Sequence, residues 1–122
     1  MKKALIFQGG WDGHEPQLTS KRFAAMLEKN GIEYLHIDIM DGDFVPNYTL
    51  GTDFIKKLHR ASSIPLDIHL MINNPDDKLD WFGICEGEYV AIHYESTKHL
   101  QRVLQSVKDL GAKPLLAINP AT

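Results

Sequence analysis

Apolar and polar residues alternate with a period of two along two short segments of the chain, residues 35–40 and 66–72. Successive side chains of a β-strand point to opposite faces of a sheet, so each segment predicts a strand with one buried apolar face. The opposite rows are His36, Asp38 and Met40 in the first segment and Asp67, His69 and Met71 in the second. If the two strands are neighbours, His36, Asp38 and His69 share one surface.

Extended apolar segments alternate with helical ones along the rest of the chain. Helices are predicted to begin at Pro16, at Thr52, after Asn74 and at Ser96 or Thr97, and glycines end two of them. The predicted strands are residues 4–7, 34–40, 66–72, 89–94 and 115–118. The order (βα)4β predicts an α/β fold, a single five-stranded parallel sheet with right-handed crossovers.

Two strand orders are compatible with this pattern. The first strand is apolar on both faces, which favours a central position and a flavodoxin-like order 2-1-3-4-5. Strands two to four carry a polar face, which favours half of a (βα)8 barrel with the order 1-2-3-4-5. We expect the flavodoxin-like order, in which strand one would separate His36 from His69.

Composition limits the classes of partner and location. The formal net charge of −3 gives no electrostatic reason to expect nucleic acid or a membrane surface as a partner. The start MKKALIFQGG lacks a full signal peptide, and no apolar stretch is long enough to span a membrane, so we expect a cytoplasmic protein. The one cysteine, Cys85, is expected to be a small buried residue beside Phe82 and Ile84.

The imidazole and carboxylate groups of His36, Asp38 and His69 define the candidate chemistry. Two histidines and one aspartate suit Zn²⁺ or a similar divalent ion with an open coordination position. The same groups could instead be polar side chains that pair with solvent or with one another.

Four segments carry a family resemblance in the same order along the chain. HIDIMDGDFVPN, PLDIHLMINNP, AIHYES and GAKPLLAINPAT resemble consecutive segments of ribulose-phosphate 3-epimerase, from about Glu33 to Thr122. The resemblance covers the second to fifth strands of that family's eight-stranded barrel.

The resemblance implies an epimerisation at C3 of a ketopentose 5-phosphate, with a metal and two acid/base groups on opposite faces of the substrate. His36, Asp38 and His69 match three metal ligands, and Asp38 also matches one of the acid/base residues. Met40, Met71 and His69 match substrate-side positions. The family's aspartate on strand seven and its phosphate loops have no counterpart in these residues, so we expect an incomplete active site with no measurable turnover.

Residues 1–31 resemble a different family. KALIFQGGWDGHEP is similar to the start of the ThuA-like (trehalose-utilisation) proteins, which have a flavodoxin-type fold. We therefore interpret the chain as one α/β domain, 1–122, that is a chimera joined near Gly31, with a ThuA-like unit (1–31) before an epimerase-derived segment (32–122).

Three functional hypotheses follow from these observations. The chain is an engineered or truncated chimera without a complete site, a sugar-phosphate epimerase completed by self-association or by another chain, or a simple metal- or anion-binding module. A homodimer that covers an open face or edge of the sheet is the expected assembly.

Overall fold

The computed structural model describes residues 3–5, 16–49 and 51–122. Their strands form one five-stranded parallel sheet with the order β1-β2-β3-β4-β5. The strands are β1 (Lys3–Leu5), β2 (Tyr34–Met40), β3 (Leu66–Met71), β4 (Tyr89–His93) and β5 (Lys113–Ala117). The predicted α/β class and single parallel sheet are confirmed.

The strand order corrects one expectation. β1 pairs with β2 at the edge of the sheet, and β2 pairs directly with β3, so the flavodoxin-like order 2-1-3-4-5 is wrong and the half-barrel order is the observed one. Inserting β1 between β2 and β3 would separate His36 and Asp38 from Asp67 and His69. Buried polar groups that lose their partners are costly, whereas adjacent strands let these groups pair.

Three α-helices connect the strands: α1 (Pro16–Lys29), α2 (Thr52–Ala61) and α3 (Leu100–Asp109). α1 and α3 end as predicted at Gly31 and Gly111, which have φ values of +71° and +79°. The amide of Ile32 donates to the Leu27 carbonyl and that of Ala112 to the Val107 carbonyl, a bonding pattern that left-handed glycines permit. None of the described helices is long and apolar enough to cross a membrane.

The segment between β3 and β4 differs from its prediction. Residues 75–81 form two three-residue 3-10 turns, Pro75–Asp77 and Leu79–Trp81, in place of an α-helix. A helix this short gains too few hydrogen bonds to offset the cost of its first turn. Leu79 and Phe82 are nevertheless buried, as predicted. Cys85 was expected in the core and is exposed, because it lies in the irregular turn before β4.

The hydrophobic core lies between one face of the sheet and the helices. β2 alternates between buried and half-buried residues, as a period of two requires. The core combines Leu35, Ile37 and Ile39 of β2 with Leu66, Ile68 and Leu70 of β3, Val90 and Ile92 of β4, Phe54, Ile55 and Leu58 of α2, and Val103 and Val107 of α3. The opposite face of β2 and β3 is therefore left to the polar rows.

Candidate functional site

The candidate site lies on the polar face of β2 and β3. Their register places Asp38 opposite His69, with His36 opposite Asp67 one step earlier and Met40 opposite Met71 one step later. Sequence alternation determined the face, and the pairing of adjacent parallel strands determined which side chains meet.

Asp38 lies at the centre of this group. Its Oδ1 is 3.1 Å from Nε2 of His36 and 3.1 Å from Nδ1 of His69. One nitrogen or oxygen of each residue lies within 4.8 Å of the others, and all three side chains are half-buried. The structure thus brings together the three metal ligands that the sequence analysis proposed.

Further polar side chains hold the two histidines in place. Nδ1 of His36 is 2.9 Å from Oδ2 of Asp67, a residue that is only 1% exposed. Nε2 of His69 is 2.9 Å from Nε2 of His93, whose ring is tilted by only 17° from that of His69. Nδ1 of His93 faces Oε2 of Glu95 at 3.4 Å. Six side chains thus form one polar string: Asp67, His36, Asp38, His69, His93 and Glu95.

One assignment of protons to the imidazole nitrogens gives both terminal carboxylates of the polar string a hydrogen-bond donor. The same assignment leaves lone pairs at the centre of the string, where a metal would bind. His36 donates Nδ1–H to Asp67, so its Nε2 lone pair faces Asp38. His69 donates Nε2–H to His93, which in turn donates Nδ1–H to Glu95, so the Nδ1 lone pair of His69 also faces Asp38. Two imidazole lone pairs and a carboxylate then converge, which is the donor set of a divalent metal site. A carboxylate that receives the other N–H of a metal-bound histidine is the usual outer partner.

Electrostatics favour this arrangement. The pKa of His69 is lowered by burial and then by the nearby His93, and the Asp38 carboxylate only partly opposes these effects. A neutral imidazole keeps the lone pair that a metal ligand needs. At the other end of the polar string, hydrogen bonds from the Thr122 hydroxyl and the Asn119 amide lower the pKa of Glu95 to about 2, so it is an anionic acceptor at neutral pH.

The loop after β2 covers the same end of the sheet and is organised by Asp41. Its Oδ1 accepts the amides of Asp43 (3.0 Å) and Phe44 (2.9 Å), and its Oδ2 accepts the amide of Asn73 at 2.8 Å. Burial alone would raise the pKa of Asp41, but these backbone donors outweigh it and the pKa is lowered. Asp41 therefore ties the loop after β2 to the loop after β3.

Gly42 is favoured by the backbone conformation of the same loop. Its φ is +75°, and a Cβ there would overlap the ring of Tyr48, which lies over the backbone. A larger residue at position 42 would be strained at this φ, and the exposed Tyr48 ring would have to move aside.

We expect Asp41→Asn to lower the free energy of unfolding at pH 7 by about 1–3 kcal/mol, because an amide nitrogen must then face the Asn73 or the Phe44 amide. The pKa of Asp41 is depressed in the folded state, so its charge stabilises the fold above pH 4 and this contribution is lost as the pH falls through the folded pKa. Urea unfolding followed by circular dichroism should show the variant and the wild type converging below pH 4. Asp43→Asn, in the same loop but exposed, is the control; an equal loss in both would contradict the role of Asp41.

The remaining predicted residues have clear positions. Met40 and Met71 are register partners at the carboxyl ends of their strands, half-buried beside the site. Asp67 was not singled out as a functional residue by sequence, although it lies on the predicted polar face. The segment GGWDGHEP, residues 9–16, lies outside the described residues except for Pro16.

Comparison with known proteins identifies the family of the chain. A family model described as "Ribulose-phosphate 3 epimerase family" matches residues 16–122. The chain is 40% identical over 94 residues to ribulose-phosphate 3-epimerase of Aquifex aeolicus, with 77% of this chain and 42% of the relative covered. It is 37% identical over 113 residues to the Bacillus subtilis enzyme, with 88% and 52% covered. The chain thus spans about half the length of the curated relatives it matches.

The extent of the match also bears on the proposed junction. It begins at residue 16 and includes all of α1, which the sequence analysis had placed in a ThuA-like unit. A boundary near Gly31 is therefore not supported. From Pro16 to Thr122, the chain belongs to the ribulose-phosphate 3-epimerase family.

Proposed function

We propose that this chain carries the metal-holding part and one acid/base residue of a site that epimerises C3 of a ketopentose 5-phosphate, D-ribulose 5-phosphate to D-xylulose 5-phosphate. The observation that carries the proposal is the convergence of His36, Asp38 and His69, with ligand atoms within 4.8 Å of one another. The family match supports the reaction class.

The chemistry follows from the position of Asp38. Epimerisation removes the proton from one face of C3 and returns one to the other, so a carboxylate on each face is needed. Asp38 accepts or donates the proton on its face, and Asp67 and His93 keep the flanking imidazoles in one orientation. When bound, a divalent metal supplies positive charge that stabilises the negative charge developing on the substrate oxygens. Met40 and Met71 exclude water beside it, which strengthens that interaction.

We propose that these 122 residues do not form a complete site by themselves. By family resemblance, the opposing acid and the phosphate grip belong to later strands than β5. A second chain could supply them. Edge strand β5 supports such an assembly, because Leu116 within it and Ile118 directly after it are 55% and 60% exposed. Burying these side chains in a homodimer would be favourable, and the mass in solution would test this.

Two further elements of the sequence analysis stay predictions. The first is the ThuA-like origin that was predicted for residues 1–31. The family match begins at residue 16, so only residues 1–15 are left to this prediction. The cytoplasmic location also stays a prediction. The alternative function is a simple metal-binding module, which needs the same three ligands but no substrate.

The metal site is tested by calorimetric titration with Zn²⁺ in the Cys85→Ser background, which removes the only thiol. We expect one ion per chain with a Kd on the order of 10 µM. His69→Ala should weaken binding at least about tenfold, because it removes one of three ligands. His99→Ala, which alters an exposed histidine at the start of α3, should leave the affinity unchanged. Equal heats for the parent and His69→Ala would rule the site out.

A further inference from the structure

A second group of ligand-type side chains lies at the opposite end of the strands from the polar string. It consists of His59 on α2, Cys85 in the turn before β4, and Glu88 immediately before β4. One ligand atom of each residue lies within 4.8 Å of the others. The epimerisation chemistry uses none of the three.

Glu88 is the fixed point of this group. It is 1% exposed, and the backbone holds both of its oxygens. Oε1 accepts the Leu66 amide at 3.0 Å and Oε2 accepts the Cys85 amide at 2.8 Å. A carboxylate held by two main-chain donors has little freedom to rotate, so its remaining lone pairs point in set directions.

His59 and Cys85 approach this carboxylate from either side of the turn. Nε2 of His59 lies 2.7 Å from Oε1 of Glu88. The Cys85 side chain is exposed and makes one weak contact, at 3.6 Å, with the Gly83 carbonyl. The group therefore joins a buried, rigid anion to a half-buried imidazole and an accessible sulfur.

We propose that His59, Cys85 and Glu88 form a second divalent metal site, selective for a thiophilic ion of the Zn²⁺ or Co²⁺ type, with an open position towards solvent. Sulfur, nitrogen and oxygen donors at this spacing match the ligand types that zinc takes in proteins. A thiolate ligand favours such ions over Mg²⁺ or Ca²⁺. A thiolate and a carboxylate together carry the two negative charges that a divalent cation neutralises.

The protonation state of the Cys85 thiol favours a role as a metal ligand over a role as a reactive cysteine. Burial and the charge of Glu88 raise the pKa of Cys85, so the free thiol stays protonated at neutral pH. A nucleophilic or redox-sensing cysteine needs the opposite shift. A cation between Cys85 and Glu88 removes the repulsion that holds the proton, so the metal displaces the proton from the sulfur.

Glu88 can bind a metal without giving up its backbone partners. Each carboxylate oxygen accepts two hydrogen bonds, and the Leu66 and Cys85 amides use one on each. The lone pair that now accepts from His59 becomes available when the Nε2 of His59 turns from donor to ligand. The metal thus replaces one hydrogen bond and leaves the two that hold the turn.

The test is a titration of the full chain with Co²⁺ under a phosphine reductant, followed by absorption spectroscopy. Because Cys85 is the only cysteine, a near-ultraviolet sulfur-to-metal charge-transfer band reports this site and not the polar string. We expect the amplitude of the band to correspond to one thiolate-bound Co²⁺ per chain, reached at a total Co²⁺ concentration that also fills the first site. The charge-transfer band should be unchanged in His69→Ala, which affects only the first site. Loss of metal binding at one site can therefore be distinguished from loss at the other.

His59→Gln is the deciding variant, because its amide can still donate to Glu88 while it is a poor metal ligand. We expect the half-saturating Co²⁺ concentration to rise at least about tenfold. Circular dichroism checks that the variant is folded. The absence of the band in the wild type, or a band that persists unchanged in His59→Gln, would overturn the proposal, since the cysteine would then bind without the site.

Discussion

A polypeptide of these 122 residues, assayed alone with saturating Zn²⁺, is expected to convert D-ribulose 5-phosphate with a kcat below about 0.1 s⁻¹. In the proposed mechanism Asp38 supplies one acid/base group, and the lack of an opposing partner lowers the rate on the order of 10²–10⁴-fold. Loss of the phosphate grip removes further binding energy that stabilises the transition state. A coupled assay for D-xylulose 5-phosphate measures the rate.

Two controls make this result interpretable. Asp38→Asn, prepared in the same way, measures any epimerase carried over from the expression host, because activity that survives this substitution does not come from the chain. Activity that is present in the wild type, lost in Asp38→Asn and proportional to a dimer fraction measured by light scattering would show that a second copy completes the site. Such activity would contradict the expected lack of turnover and would favour the alternative in which self-association completes the site.

Glu88→Gln is expected to lower the free energy of unfolding by about 3 kcal/mol. The substitution preserves the shape of the side chain and replaces one acceptor oxygen by an NH2 group. In either orientation that group faces a backbone N–H, of Leu66 or of Cys85, so a buried donor loses its partner. The free energy comes from urea unfolding, where the midpoint should fall at an unchanged slope.

The matched control is Glu86→Gln, two residues earlier and exposed. Exposed substitutions of this kind change stability by less than about 0.5 kcal/mol. Equal midpoints for the two variants would show that the Glu88 hydrogen bonds contribute no more than surface contacts. A lower slope for Glu88→Gln alone would instead indicate a change in the cooperativity of unfolding.

The sequence predicted β2, β3 and their polar faces because alternation is a local property of an extended chain. Leu35 and Ile37 fall on one side and His36 and Asp38 on the other wherever the strand lies. The choice of neighbouring strand is not local. A first strand apolar on both faces fits the centre or the edge of a sheet, and only the pairing of Asp38 with His69 distinguishes the two.

The turn before β4 shows why other parts of the structure were missed. Cys85 and Glu88 lie in a segment without periodicity, so no pattern indicates which side chain is buried. Hydrophobicity predicted a buried cysteine and gave no indication of a buried glutamate, whereas the structure exposes Cys85 and buries Glu88. The partners of Glu88 are main-chain amides, whose positions are set by the fold and not by residue type.

The polar string constrains how the residues on this face of the sheet can be replaced during evolution. Where His69 and His93 meet, one Nε2 must donate and the other must offer its lone pair, so the orientation of His93 is tied to that of His69. A substitution at Glu95 therefore alters a proton position several side chains away, and its effect depends on what occupies the intervening places. Such residues are constrained as a set: a replacement acceptable in one background is harmful in another, and the order in which replacements occur determines which are accessible.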